Sequence, residues 1–187
     1  MSHRLGRIAL STLVGAVAVA IGLYFGRFVA AAAALPFASS RQAIPLATGT
    51  TWWAFTGLIA GVGFALTAVS AHRVRVALVS ILGFGLGGAL AAVFTIASGA
   101  DRAPALTTLG APLGGPLGGA LAGLLVGLAA GLGIRAVALL IVGAAAMLIA
   151  APQIGPALPA PDVIALLAPG ALIGAALAIL AGSDQPV

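Results

Sequence analysis

Residues 113–132, LGGPLGGALAGLLVGLAAGL, combine an unbroken apolar character with a glycine at every fourth position. The periodic glycines are Gly115, Gly119, Gly123, Gly127 and Gly131. Four residues turn an α-helix by about 400°, so these glycines form one slowly drifting face without side chains. Such a face lets a neighbouring backbone approach closely, which is a main source of helix association in lipid. The stretch therefore predicts a transmembrane helix that packs through a glycine groove.

The rest of the chain has the same composition. Of its 187 residues, 62% are hydrophobic and only 6% are charged, and the mean hydropathy is +1.25. A soluble domain is closer to half apolar and about a quarter charged. These values predict an all-α, polytopic integral membrane bundle. They exclude a soluble enzyme and a nucleic-acid binder, and the absence of cysteine excludes a disulfide scaffold.

Charged or proline-rich breaks divide the chain into six apolar segments of about the length that crosses a bilayer core, although the fifth is short, and together they form one domain over 1–187. The predicted spans are 8–26, 51–70, 74–97, 113–132, 136–151 and 163–181. An even number of spans places both termini on one side of the membrane. The first segment also resembles a secretory signal, but its length and the position of Arg27 favour a retained helix.

The arginines predict the orientation of this bundle. Five lie in the N-terminal tail or in the links after the second and fourth spans: Arg4, Arg7, Arg73, Arg75 and Arg135. Three lie on the opposite side: Arg27, Arg41 and Arg102. Because cytoplasmic loops carry the excess of basic residues, we expect both termini to be cytoplasmic. The expected location is the cell (inner or plasma) membrane.

The predicted links on the two sides differ in length. The outer links, 27–50, 98–112 and 152–162, are long and hold most of the 11 prolines, whereas the inner links are tight turns. Since proline restricts the chain, we expect a shaped outer surface. Trp52 and Trp53 begin the second span, where amphipathic rings prefer the membrane interface. They are interpreted as interface anchors, with stacking on a ligand as the alternative.

Other spans carry small residues at the same spacing, including Gly57 with Gly61 and Gly170 with Gly174. Such grooves serve packing within one bundle, or they receive a helix from another chain or another copy. Pro169 and Gly170 predict a kink in the sixth span, which is either a packing detail or a hinge beside a cavity. The hairpins around residues 73–75 and 135 also suggest a weak internal repeat, which similar composition alone would produce.

The middles of the predicted spans hold no ionisable residue, although such residues usually mark ion pathways. Their polar groups are hydroxyls, which we expect to bond back to their own helices; examples are Thr12, Thr56, Thr67, Ser80 and Thr95. His72 and Ser98 lie at opposite ends of the third span, too far apart to act together. The sequence therefore predicts no catalytic residue, no cofactor and no metal site.

The first functional hypothesis is a non-catalytic accessory subunit that packs against other membrane subunits or copies of itself. The alternative is a permease, channel or substrate-binding transport component for a neutral or apolar small molecule. An enzyme is disfavoured because no acid, base or nucleophile set can be assembled. A cavity near the sixth span with converging hydroxyls would favour the transport alternative, whereas a solid bundle with an exposed glycine groove would favour the accessory subunit.

Overall fold

A computed structural model describes residues 2–37, 39–40, 43–68, 72–97, 107–150 and 163–181. These residues form α-helices and short 3-10 segments, and no strand occurs among them. The helices are α1 (Ser2–Ala34), α2 (Ala43–Thr67), α3 (Arg73–Ala97), α4 (Thr107–Ala129), α5 (Ala136–Ala150) and α6 (Val163–Ala181). The all-α expectation is thereby confirmed for the described residues.

The six described helices form a ring in chain order. Each helix packs against the next one, and α1 packs against α6 to close the ring. Close approaches run in opposite directions along neighbouring helices, as Gly22 against Thr56 and Gly26 against Trp52 show for α1 and α2. Neighbours are therefore antiparallel. The beginning of α1 and the end of α6 consequently lie at the same end of the bundle, where Arg7 and Ala181 line one cavity.

Large apolar side chains cover the outside of the ring, and small residues fill much of its interior. Leu13, Leu82 and Ile141 are more than half exposed, whereas Ala60, Ala136 and Ala146 are completely buried. This distribution suits surrounding lipid rather than water. Four of the described helices are long and apolar enough to cross a membrane: α1, α2, α3 and α6. The apolar parts of α4 and α5 are shorter, over 116–129 and 133–149.

The first two helices extend well beyond the predicted spans. α1 continues through Arg27 to Ala34, and α2 begins at Ala43 rather than at residue 51. The Arg27 guanidinium lies over the rings of Tyr24 and Phe28, at 4.3 and 4.7 Å, and Arg27 lies inside α1 rather than at its end. Most of the predicted outer link 27–50 is therefore helical. The predicted outer segments 98–106 and 152–162 lie outside the described residues.

The end of α4 corrects the predicted glycine pattern. α4 ends at Ala129, and Gly131 follows with a φ of 80°, a left-handed conformation that glycine adopts without strain. The Leu132 amide donates to the Gly127 carbonyl and the Gly131 amide to the Leu128 carbonyl, both at 3.1 Å. These two bonds form a Schellman motif. Gly131 thus terminates the helix instead of extending its groove.

Candidate functional site

Three of the periodic glycines in α4 contact α5 of the same chain. A Cβ atom at Gly119 would meet Gly143, one at Gly123 would meet the Leu139 carbonyl, and one at Gly127 would meet Ala136. The two backbones therefore approach more closely than any side chain on these residues would allow. Gly115 belongs to α4, but its surroundings lie outside the described part of the structure. The α4 face over 119–127 is occupied from within the bundle.

Paired glycines allow one helix to contact both of its neighbours. In α3, Gly87 faces Gly118 of α4, while Gly88 faces Gly49 and Trp53 of α2. In α4, Gly118 faces Gly87 and the next residue, Gly119, faces α5. Successive helical residues point about 100° apart, which is close to the angle between the two neighbours of a helix in a ring of six. The Gly-Gly pairs therefore suit this ring.

Close glycine approaches occur at five of the six interfaces in the described ring. Gly170 meets Gly15 and Gly174 meets Ser11 at the α1–α6 interface, and Gly57 meets Ser80 between α2 and α3. Between α5 and α6 no described glycine makes such an approach. This interface, which we call the α5–α6 seam, is also the smallest of the six. The ring is thus closed by tight contacts everywhere except at this seam.

A cavity opens at the end of the bundle where α1 begins and α6 ends, and we call it the end cavity. Its volume is about 310 Å³, at the lower limit of the roughly 300–1,000 Å³ typical of ligand pockets. Residues from α1, α2, α3, α6 and the end of α4 line it. They are Arg7, Leu10, Ser11, Phe64, Leu66, Thr67, Ala68, Arg73, Val76, Ala130, Leu177, Ala178 and Ala181.

Two hydroxyls converge in the end cavity beside α6. Ser11 is buried, and its hydroxyl donates to the Gly174 carbonyl at 2.8 Å, which joins α1 to α6. The Thr67 hydroxyl lies 3.3 Å from that of Ser11 and donates to the Phe64 carbonyl of its own helix. The expected bonding of hydroxyls within a helix is confirmed for Thr12, Thr56, Thr67 and Ser80. The side chain of Thr95 lies outside the described residues.

The end cavity stops at a packed layer in the middle of the bundle. Ala60 in α2, Ser80 in α3 and Val126 in α4 have no exposed surface, and we call these three residues the closed layer. Beyond it lies a gap of about 20 Å³, lined by Trp53, Phe84, Met147 and Ile173 among others, which we call the outer gap. A space of this size holds about one water molecule, and its walls are mainly apolar. Among the described residues, the two spaces share no lining residue.

Both tryptophans have interior contacts. The Trp52 indole donates to the Leu23 carbonyl of α1 at 3.0 Å. Trp53 is buried and packs against Phe84, with the ring centres 6.3 Å apart. Because α2 begins at Ala43, the two rings also lie several turns inside the helix. These contacts give the rings a role in joining α2 to α1 and α3, and their position at a membrane interface stays a prediction.

The arginines predicted to set the topology gather at the end with the cavity. Arg7 and Arg73 line the end cavity, and Arg4 and Arg75 are exposed beside them along the same helices. Arg135 follows the turn after α4 at this end. We call this the arginine-rich end. Pro169 lies inside a continuous α6 and is buried with Gly170, which packs on α1.

Ser11 and the glycines of α1 were not identified from the sequence. Ser11, Gly15, Gly22 and Gly26 follow one another at spacings of four and seven residues, which place them near one face of a helix. That spacing is the signal that would have found them. The described residues contain no group of three or more His, Cys, Asp or Glu side chains able to hold a metal ion.

The chain was also compared with known proteins. No family model matches it, and no curated protein and no solved structure is significantly similar to it.

Proposed function

We propose that this chain is a non-enzymatic, multi-pass membrane protein that binds a small, mainly apolar molecule in its end cavity. It serves as a permease or as the substrate-binding component of a transport system. The proposed topology has six spans, with both termini and the arginine-rich end on the cytoplasmic side of the cell membrane. The observation that carries the proposal is a cavity of about 310 Å³ inside a ring of helices, with two hydroxyls converging beside α6.

The packed middle of the bundle supports transport by a conformational change rather than through an open pore. The closed layer separates the end cavity from the outer gap, and the outer gap is too small for a solute. A carrier alternates between states open to either side, and one such state has a cavity at one end only. The uncharged middles of the helices suit a solute that carries no ion with it.

An accessory subunit remains the alternative. In the sequence, this hypothesis depends on a glycine groove that receives a helix from another chain. In the structure, α5 of the same chain covers Gly119, Gly123 and Gly127. A partner helix would therefore have to bind the outer apolar surface, which lipid also covers. The end cavity has no role in this alternative, so the accessibility of the cavity separates the two hypotheses.

Single cysteines test the proposal, because the chain contains no cysteine of its own. We expect Ala178→Cys, in the end cavity, to react with a membrane-impermeant thiol reagent added at the arginine-rich end. Met147→Cys, beside the outer gap, is expected to react more slowly and only from the opposite side, because a carrier must open there. Ile179→Cys, on the outer surface of α6, is the matched control facing lipid. If Met147→Cys never reacts from the opposite side, transport is contradicted and the accessory subunit is favoured.

A further inference from the structure

Two guanidinium groups stand at the end cavity without a carboxylate among the described residues. Arg7 is half-buried in α1, and Arg73, the first residue of α3, is exposed. The Arg73 Nε donates to the Ala68 carbonyl at 3.4 Å, which leaves its terminal N–H groups for other acceptors. The three acidic residues, Asp101, Asp162 and Asp184, all lie outside the described ranges. Two cations at the mouth of a mainly apolar cavity attract an anion.

The hydroxyls of the end cavity are already engaged with backbone carbonyls. Ser11 donates to Gly174 and Thr67 donates to Phe64. Each hydroxyl has one hydrogen, so neither has a further hydrogen for a ligand. The donors available to an anion are therefore those of Arg7 and Arg73. Planar guanidinium groups bind carboxylate and phosphate oxygens through paired hydrogen bonds, which are stronger than bonds between neutral groups.

The remaining wall of the cavity is apolar. Leu10 and Leu66 line it and are 54% and 66% exposed, whereas Phe64, Val76 and Leu177 are buried. A small hydrophilic anion would bind the arginines but would leave this wall in contact with water. An alkyl chain removes that wall from water, which is favourable in proportion to the apolar area covered. The cavity thus has one cationic and one apolar part.

We infer that the end cavity binds an amphiphile with a single carboxylate or phosphate head group and an alkyl tail. Arg7 and Arg73 hold the head group, and the tail lies against Leu10 and Leu66. This inference rests on the proposed function, because it names the chemical class of the molecule that the cavity takes. The amphiphile comes either from the water phase or from the membrane, as an anionic lipid, since both present the same head-group chemistry.

Protection of Ala178→Cys tests the inference. The protein is placed in phosphatidylcholine nanodiscs, and the rate of thiol labelling is measured with dodecyl phosphate or with uncharged dodecanol. We expect dodecyl phosphate to slow labelling by about tenfold or more, the effect of a charge-assisted bond, and dodecanol to protect far less. Arg7→Gln with Arg73→Gln should remove this protection. Arg4→Gln with Arg75→Gln, which changes two arginines at the same end that do not line the cavity, should retain it.

The outcomes separate this inference from the proposed function. Suppose that Ala178→Cys does not react even without a probe, while the control Ile179→Cys behaves as expected of a residue facing lipid. The cavity is then closed, and the proposed function fails. If Ala178→Cys reacts but dodecanol protects as well as dodecyl phosphate, only the anionic head group is overturned. Equal loss of protection in the two arginine double variants also overturns it. Protection that appears only in the Asp184→Asn variant also overturns the anionic head group of the amphiphile, because the chain's own carboxylate would then occupy the site.

The source of the amphiphile is found by changing the lipid. If nanodiscs with phosphatidylglycerol slow labelling without any probe, and Arg7→Gln with Arg73→Gln abolishes the effect, the head group belongs to a membrane lipid. If only added dodecyl phosphate protects, the amphiphile enters from water. Either result supports the same head-group chemistry. High salt should weaken the protection in both cases, because ions screen the arginines.

Discussion

At the scale of single residues, the missing Cβ atoms of glycine determine how closely these helices approach. At Gly123 the nearest atoms of the neighbouring helix are backbone atoms of Leu139, which cannot move away as the end of a flexible side chain can. A methyl group added to Gly6, near the start of α1, would meet no atom within 4 Å. The same substitution at these two glycines should therefore have different effects on stability.

We expect Gly123→Ala to lower the free energy of unfolding by about 1–3 kcal/mol, the usual cost of overpacking. Gly6→Ala should leave it unchanged or raise it by up to about 1 kcal/mol, because alanine favours helix more than glycine does. Gly123→Leu should separate α4 from α5. Titration with a denaturing detergent, followed by far-ultraviolet circular dichroism, measures these changes. Equal unfolding midpoints for Gly123→Ala and Gly6→Ala would show that the close approach at Gly123 does not contribute to the free energy of unfolding.

The glycine period of residues 113–132 predicted a packing face on α4 but neither its partner nor its end. Periodicity describes one helix, whereas the pairing of Gly119 with Gly143 depends on where α5 lies. The end of α4 depends on two hydrogen bonds around Gly131, whose sequence signature is a glycine just after the last helical turn. The end cavity could not be predicted in this way, because residues from five helices form it.

At the scale of helices, α6 combines a buried proline with close contacts on the turns that follow it. Pro169 has no N–H, so the Ala165 carbonyl lacks its usual partner one turn later. Gly170 and Gly174 join the following turns to α1. The part of α6 before Pro169 has no described glycine contact of this kind. This division within one helix supports the hypothesis of a hinge.

Pro169→Ala restores the missing donor and should stiffen α6. If Pro169 is a hinge, we expect labelling of Met147→Cys from the side opposite the arginine-rich end to slow by about tenfold, a barrier change of ~1.4 kcal/mol. Labelling of Ala178→Cys should not change. Pro45→Ala, in the first turn of α2 where proline breaks no helical bond, is the control. If Pro169→Ala leaves the labelling rate of Met147→Cys unchanged, Pro169 is not a hinge and serves only in packing.

At the scale of the whole molecule, composition predicted an all-α bundle, and hydropathy located every described helix. The bounds of α6 agree with the predicted span, since the apolar run begins and ends sharply there. The bounds of α1 and α2 do not agree, because helical structure continues past the apolar core and, in α1, includes Arg7 and Arg27. Ring closure could not be predicted either, because it depends on contacts between the first and last helices.

The proposed six-span topology predicts which exposed residues share a side of the membrane. Leu5→Cys in α1 and Ile134→Cys in the turn after α4 should react with an impermeant reagent from the same side. Leu35→Cys, after the end of α1, should react from the other side. All three native residues are well exposed, at 64%, 86% and 74%, so access to the cysteine does not limit the reaction. If Leu5→Cys and Ile134→Cys react from opposite sides, the topology is wrong.

The α5–α6 seam is the one interface of the described ring that has no close glycine contact, whereas the other five interfaces have such contacts. A ring of helices with tight contacts at every interface resists opening, whereas a ring with one weak interface opens at that interface. Parting α5 from α6 would break none of the described glycine contacts, since Gly143 stays with α4 and Gly170 and Gly174 stay with α1. The order of the helices would survive such an opening, and the interior would face the hydrocarbon of the membrane rather than water.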